Sequence, residues 1–286
     1  MARGKPVSPS AIDRYRRCPR QFYLCDIVEL RGNSRQTLQT SVGRVIHAAL
    51  QEVLKRPAEE RSYEALAAAL RKCWRTYCPK DLFAIGEEVR IGNRCLEQLR
   101  CYSETHSLDC ETLGLECTLE AVLPGGARIT GRIDRIDRLS DGRVRVIDHK
   151  TGHRWLEEED LRTEPAARIY LLLASKQFGP IDSVRYHFLE TGEDLIWEPE
   201  QEDLPYIAEG LAREVAEILS AEPYAPNPGN HCEWCPFRKY CAGAEAGATT
   251  NGPSPCKSYN RTVRPSVSPQ VRRLSEISMS QRALLI

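Results

Sequence analysis

Two neighbouring stretches of this sequence place charged residues where strands usually carry apolar ones. Gly131-Arg132-Ile133-Asp134-Arg135-Ile136-Asp137 is followed, across Ser140-Asp141-Gly142, by Val144 and then Val146-Ile147-Asp148-His149-Lys150-Thr151-Gly152. Alternation on both sides of a turn signal predicts a hairpin with strands over 127–139 and 143–149. Register decides what that hairpin can do. A two-residue turn at Asp141-Gly142 pairs Asp134 with His149 and points it away from Asp148 and Lys150. A three-residue turn sets Asp134 opposite Asp148, so that Asp134, Ile136, Val144, Val146, Asp148 and Lys150 share one face. The usual three-residue loop needs its last residue in the left-handed region, and Gly142 stands there. The result is an apolar stripe ending in two carboxylates and an amine. Asp137 falls on the opposite face, where Asn is expected to be tolerated far better than at Asp134.

Carboxylates side by side at the end of an apolar face repel each other unless a cation sits between them, and hard oxygen ligands suit Mg²⁺ or Mn²⁺. A lysine beside such an ion can orient a water and offset charge on a phosphorane-like transition state. The competing reading is a solvated hairpin with weak exposed ion pairs.

Elsewhere the periodicity gives helices and strands in a fixed order. Ser8-Pro9 opens a helix that runs to Arg17 and breaks at Pro19. Helices are predicted over 41–56, 62–77 and 87–105, with His47 near the edge of the first one's apolar stripe. A strand over 113–121 and the hairpin follow, then a helix over 161–178, strands over 183–189 and 195–197, and a helix over 204–219. From Pro223 the composition turns to Pro, Asn and Gly, and then to the knot His231 to Cys241. Residues 242–286, rich in Ser, Pro, Arg, Gly and Thr, read as a disordered basic tail after a single domain over 1–241.

Forty basic residues balance forty acidic ones over 286 positions, which excludes a polybasic carrier. The charge is uneven. Residues 1–50 hold nine Lys and Arg against three Asp and Glu, and 237–286 hold eight against two, so two basic ends flank an acidic body. That pattern fits an anionic ligand meeting a metal-binding core. No apolar run approaches a membrane span and no signal peptide is evident, so a cytoplasmic protein is expected. Twelve cysteines then favour thiols or metal ligands over disulfides. Cys232, Cys235 and Cys241 offer three thiolates, and the fourth ligand is His231, giving zinc, or Cys18. Cys25, Cys73, Cys78, Cys95, Cys101, Cys110, Cys117 and Cys256 lack ligand spacing and read mostly as small buried apolar residues. Trp234 and Phe237 are expected to pack over the metal site.

From Ser8 to Cys241 the chain resembles the PD-(D/E)xK nucleases, within them the RecB-like exonucleases and the iron–sulfur nucleases of CRISPR adaptation. The motifs that carry the resemblance are Ser8-x-Ser10-x-Ile12-x-x-Tyr15-x-x-Cys18-Pro19, Gly43-x-x-x-His47, Glu116, Gly131-x-Ile133-Asp134 and Asp148-x-Lys150-Thr151-Gly152. The resemblance implies an α/β fold with a restriction-endonuclease-like mixed sheet flanked by helices, a helical N-terminal part and a C-terminal iron–sulfur patch. It also implies that Asp134, Asp148, His47 and the His149 backbone carbonyl bind Mg²⁺ or Mn²⁺, that Lys150 is the catalytic lysine, and that Cys18, Cys232, Cys235 and Cys241 hold a [4Fe-4S] cluster. The family's Gln-x-x-x-Tyr falls on Ala166 to Tyr170, so the Tyr is present and the Gln is not. Tyr170, Arg168 and Glu116 are the DNA-positioning candidates, and Arg14, Arg16, Arg17, Arg20, Arg238 and Lys239 a phosphate-binding rim. The expected function is metal-dependent hydrolysis of DNA at single-stranded ends, in repair or CRISPR adaptation, with helicase or integrase proteins as partners. The alternatives are an inactive DNA-binding or assembly subunit and a zinc-stabilised RNA-processing protein.

Overall fold

The structure, a computed structural model, describes residues 5–32, 37–78, 80–84, 86–152, 154 and 156–241. The segment 242–286, read above as a basic tail, and Cys256 within it lie outside the described residues.

Ser8 accepts from the Ala11 amide and Pro9 takes the first helical position, which starts helix α1 (Pro9–Arg17). Cys18-Pro19 ends it, and α2 (Pro19–Phe22) restarts the helix before a π-helical turn over Tyr23–Ile27. Helix α3 (Leu38–Leu54) begins three residues before the Ser41 start read from periodicity. Thr37 and Thr40 cap each other's backbone amides there, a polar signal that apolar spacing does not register. Then come α4 (Tyr63–Tyr77), α5 (Glu87–Thr105), β1 (Glu111–Val122), β2 (Arg128–Arg138) and β3 (Val144–Lys150). A single turn, α6 (Glu158–Leu161), precedes α7 (Pro165–Phe178), so the predicted helix from Leu161 is split by Pro165 at the start of α7. Strands β4 (Ile181–Phe188) and β5 (Glu193–Trp197) and helix α8 (Leu204–Ser220) complete the domain.

The five strands form one mixed sheet in the order β1-β2-β3-β4-β5. All neighbours are antiparallel except β3 and β4, which run parallel. A parallel neighbour requires a crossover, and α7 supplies it. The hairpin takes the three-residue loop: Ile136 pairs with Val146 and Arg138 with Val144, the Leu139 amide donates to the Arg143 carbonyl at 2.9 Å, and Gly142 has φ +85°. Continued by one pair, that register sets Asp134 opposite Asp148.

Ile136, Val144 and Val146 are buried in the main core with Ile169 and Leu173 of α7 and Val184 and Tyr186 of β4. Helix α7 reaches the sheet because Gly131 lacks a side chain: a Cβ there would lie 2.9 Å from the Tyr170 ring and 3.0 Å from Leu173. A second apolar cluster joins α3, α4 and α5 and includes Leu189, just beyond β4.

The other face of β2 corrects the expectation for Asp137. This carboxylate is fully buried and accepts from Arg135 Nε at 2.8 Å. Arg135 is itself buried and donates onward to the Tyr102 hydroxyl (2.7 Å) and the Ser107 carbonyl (2.9 Å). Removing one partner of a buried ion pair strands the other's charge, at a cost of about 3–5 kcal/mol. Asp137→Asn is therefore expected to lower the unfolding free energy by about 3 kcal/mol in urea titrations. A loss below roughly 0.5 kcal/mol would contradict the network.

Candidate active site

Four elements bring polar groups to the end of the hairpin. His47, on α3, places Nδ1 3.1 Å from Glu116 Oε1 and 3.5 Å from Asp134 Oδ1. The His149 amide donates to Asp134 Oδ2 at 2.7 Å. Lys150 forms a close ion pair with Asp148, and its Nζ lies 4.3 Å from the centre of the Tyr186 ring. Glu116 on β1 also accepts from Arg132 Nε at 2.8 Å. The spacing Gly43-x-x-x-His47 has a steric reason: a Cβ at Gly43 would lie 3.2 Å from the Thr151 hydroxyl, so glycine lets α3 approach the strand that carries Asp148 and Lys150.

Burial and mutual charge set the protonation states. Burial disfavours the imidazolium of His47, but hydrogen bonds and charges from Asp134 and Glu116 outweigh it and push the pKa up to about 10. Burial raises Asp148 to about 6, and the Asp134 charge adds to this while Lys150 opposes it. Asp134 also pays desolvation, yet His47 and His149 hold it below the usual carboxylate range. This is a pocket with more negative charge than its own side chains balance, so His47 retains a proton far above the usual imidazole range. A divalent cation would take that proton's place. His47, Asp134 and His149 present ligand atoms within 4.8 Å of one another, and Asp148 and Glu116 adjoin them. A groove of about 380 Å³, lined by Arg44, Gln51, Tyr77 and Arg132, reaches His47 and Glu116.

The other site expectations fall as follows. Tyr170 is buried against Gly131, and its hydroxyl pKa is raised by burial and by the charges of Asp148, Asp134 and Glu116. The Arg168 guanidinium is paired with Glu214 of α8, Nη1 lying 3.1 Å from its carboxylate. Glu116 faces His47. Sequence reasoning missed the side chain of His149, which is buried with Nε2 3.1 Å from the Tyr102 hydroxyl. It also missed Glu164, whose pKa is raised by burial and the Asp13 charge and lowered by Lys150. Neither has a motif, because each meets the site only through the fold.

Cys18, Cys232, Cys235 and Cys241 line one small cavity of about 20 Å³, together with His231 and Phe237. The Asn227 amide donates to Cys18 Sγ at 3.4 Å. Among the described residues, no three donor atoms of this group lie within 4.8 Å of one another. His231 Nε2 is buried and makes no hydrogen bond. Phe237 is buried as expected, whereas Trp234 is 74% exposed and does not pack over the cavity. Of the basic rim, Arg14 is tied to Asp26 by two hydrogen bonds and Arg16 to Glu214, while Arg17, Arg238 and Lys239 are exposed. Of the remaining cysteines, Cys73, Cys78 and Cys95 are buried, and Cys25, Cys101, Cys110 and Cys117 are half-buried.

Comparison with known proteins gives three results. The family model of the PD-(D/E)XK nuclease superfamily matches residues 6–242. The ATP-dependent helicase/deoxyribonuclease subunits B of Streptococcus agalactiae serotypes Ia and V are each 28% identical over 113 residues, 38% of this chain. This chain spans only 10% of their length. The crystal structure of SSO0001 overlaps 84% of this chain and 86% of its own, at 18% identity and a TM-score of 0.35.

The protonation of His47 has a testable sign. Its folded pKa of about 10 lies above the unfolded value of 6.5, so its contribution to the metal-free protein is complete below pH 6.5 and is lost as pH rises toward 10. Chelator-treated protein is expected to show a falling urea midpoint from pH 7 to 10, and His47→Gln a flatter profile. Equal slopes in the two proteins would refute the assignment.

Proposed function

The chain belongs to the PD-(D/E)XK nuclease superfamily, and from that premise we propose that it is a DNA nuclease, hydrolysing phosphodiester bonds with water as nucleophile and acting as an exonuclease on single-stranded ends. The observation that carries this reading is the convergence of His47, Glu116, Asp134 and Asp148 beside Lys150. His47, Asp134 and Asp148, with Glu116 adjoining and the His149 carbonyl, are the proposed ligands of Mg²⁺ or Mn²⁺. Such an ion, when bound, lowers the pKa of a water and draws charge from the phosphoryl oxygens. Lys150 holds an ammonium at the carboxylate cluster, where it orients the attacking water and offsets negative charge on the transition state. Burial disfavours that ammonium, but the charge and hydrogen bond of Asp148 keep its pKa raised, so the lysine is cationic at neutral pH. Arg44 and Arg132, lining the groove beside His47, are placed to hold backbone phosphates, and exposed Trp234 to stack on a base.

The helicase/deoxyribonuclease subunits B that match part of the chain support work beside a helicase, in repair or in CRISPR adaptation, within the cytoplasm. An inactive DNA-binding subunit is disfavoured, because the carboxylates and lysine are assembled.

For the cysteine cavity we propose a [4Fe-4S] cluster. All four thiols line the one cavity, and an all-thiolate set suits an iron–sulfur cluster. The unpartnered His231 Nε2 favours the second reading, a zinc site of three cysteines and His231.

Asp148→Ala and Lys150→Ala are each expected to cut cleavage by more than about 10²-fold without loss of fold, assayed on labelled single- and double-stranded DNA and RNA with Mg²⁺, Mn²⁺ or EDTA. Retained cleavage in either variant sinks the assignment. Anaerobically purified protein is expected to be brown, with about four irons per chain, and Cys18→Ser to lose them as Cys232→Ser does. One zinc without iron, lost on His231→Ala and kept in Cys18→Ser, selects the alternative.

A further inference from the structure

On the far side of Tyr102 from the carboxylates, three more ligand-type side chains converge. His106 caps the C-terminus of α5, His187 lies on β4, and Asp194 lies directly opposite His187 on β5. Their ligand atoms stand within 4.8 Å of one another. Asp194 Oδ1 is 2.7 Å from His187 Nδ1, and Oδ2 is 3.2 Å from His106 Nε2. The β4–β5 turn is pressed onto α5: a Cβ at Gly192 would lie 2.8 Å from Cys101 Sγ, and Gln98 donates to Glu190 at 2.9 Å.

A proton count shows what this cluster lacks. The Thr105 hydroxyl donates its one hydrogen to the Cys101 carbonyl at 2.8 Å, so toward His106 Nδ1, 2.9 Å away, it accepts. His106 Nδ1 therefore carries hydrogen. In the neutral ring, Nε2 is then a bare lone pair facing a carboxylate oxygen. Only a cation between them, a proton or a metal ion, removes that repulsion. The Arg185 guanidinium, 3.9 Å from Asp194 Oδ2, is outside hydrogen-bonding distance. The C-terminal end of the 19-residue helix α5 adds partial negative charge at His106.

We propose that His106, His187 and Asp194 form a second metal site that takes a divalent transition ion of the zinc type, with water completing the coordination. Two imidazoles and a carboxylate suit zinc, whereas Mg²⁺ prefers oxygen donors. The Thr105 contact is the outer hydrogen bond that metal-bound histidines usually make through their second nitrogen. Burial lowers the pKa of His187, so that its ring is a neutral ligand, and the His187 hydrogen bond helps hold the Asp194 carboxyl below the usual carboxylate range against its burial. The ion acts as a brace. The Tyr102 ring stacks on His106 at 4.8 Å, and its hydroxyl meets His149, whose amide holds Asp134. The site stands independently of the nuclease reading.

The test uses the full chain, stripped with a chelator, loaded with Zn²⁺ and washed, with bound zinc counted by mass spectrometry. Asp194→Asn and His106→Gln are each expected to hold one zinc fewer per chain than wild type. Thr105→Val should weaken that equivalent by about 10–100-fold. Asp134→Asn and Cys232→Ser report the other two candidate sites, and the equivalent in question should survive in both. With Co²⁺ in place of Zn²⁺, His106→Gln should lose ligand-field intensity relative to wild type with no loss of thiolate charge transfer. Circular dichroism checks each fold, and His106→Gln, at the end of α5 rather than within the sheet, carries the result if Asp194→Asn fails to fold. Equal zinc in wild type and His106→Gln overturns the proposal, as does an NMR spectrum in which His106 stays an imidazolium at zinc saturation, since a proton then fills the gap.

Discussion

Glu116, Asp134 and Asp148 crowd one mostly buried corner, and their mutual repulsion is the constraint that the surrounding elements answer. Two unit charges 4 Å apart interact by about 4 kcal/mol at an effective dielectric near 20, so three uncompensated carboxylates would offset most of a domain's stability of about 5–15 kcal/mol. Each is met by a group from a different place. Lys150 faces Asp148, the His149 amide faces Asp134, Arg132 faces Glu116, and protonated His47 spans Glu116 and Asp134. Such compensation works only if the backbones come close. Gly43 against Thr151 and Gly131 against Tyr170 are where they do.

The hairpin was the most legible part of the sequence, because its register hangs on one local feature, a glycine able to take positive φ at the end of a three-residue loop. Helix positions followed from apolar spacing, and errors gathered at boundaries set by other signals: the Thr37–Thr40 cap and Pro165. Asp137 was misjudged because alternation tells which face a side chain takes and not what covers that face. Here α5 covers it with Tyr102, and the carboxylate is needed to balance Arg135. The partner of Arg168 is equally hidden from local patterning, Glu214 lying 46 residues away. His149, Glu164 and the pair His106 and Asp194 carry no local pattern. Only the sheet order brings them to their partners.

The first and last segments of the described domain are joined by ordinary contacts, whether or not the cysteines hold a metal. Tyr224 packs on Tyr15, Phe22 and Tyr23, and Asn227 bonds the Arg17 carbonyl and Cys18. Closing a loop of more than 200 residues costs on the order of 5 kcal/mol of chain entropy. These contacts meet that cost as part of folding. The four cysteines are therefore gathered by a seam already formed, and a metal there locks the seam rather than creating it.

Strand β3 links the two polar regions through its period of two. Asp148 and Lys150 point to the carboxylate corner, and the His149 ring between them turns aside, with Nδ1 still 3.9 Å from Asp134 Oδ2 and Nε2 meeting the Tyr102 hydroxyl. The amide of that same residue holds Asp134. A shift of β3 toward either side would thus move His149 against Tyr102 and Asp134 together. Tyr102 is in turn fixed by Arg135, itself neutralised by Asp137, and by the ring of His106. The buried polar groups behind the sheet are costly to bury one at a time, and Asp137, Arg135, Tyr102 and His149 are linked in series by hydrogen bonds. Their combined effect is to hold the one strand whose displacement would pull the carboxylate pair out of register.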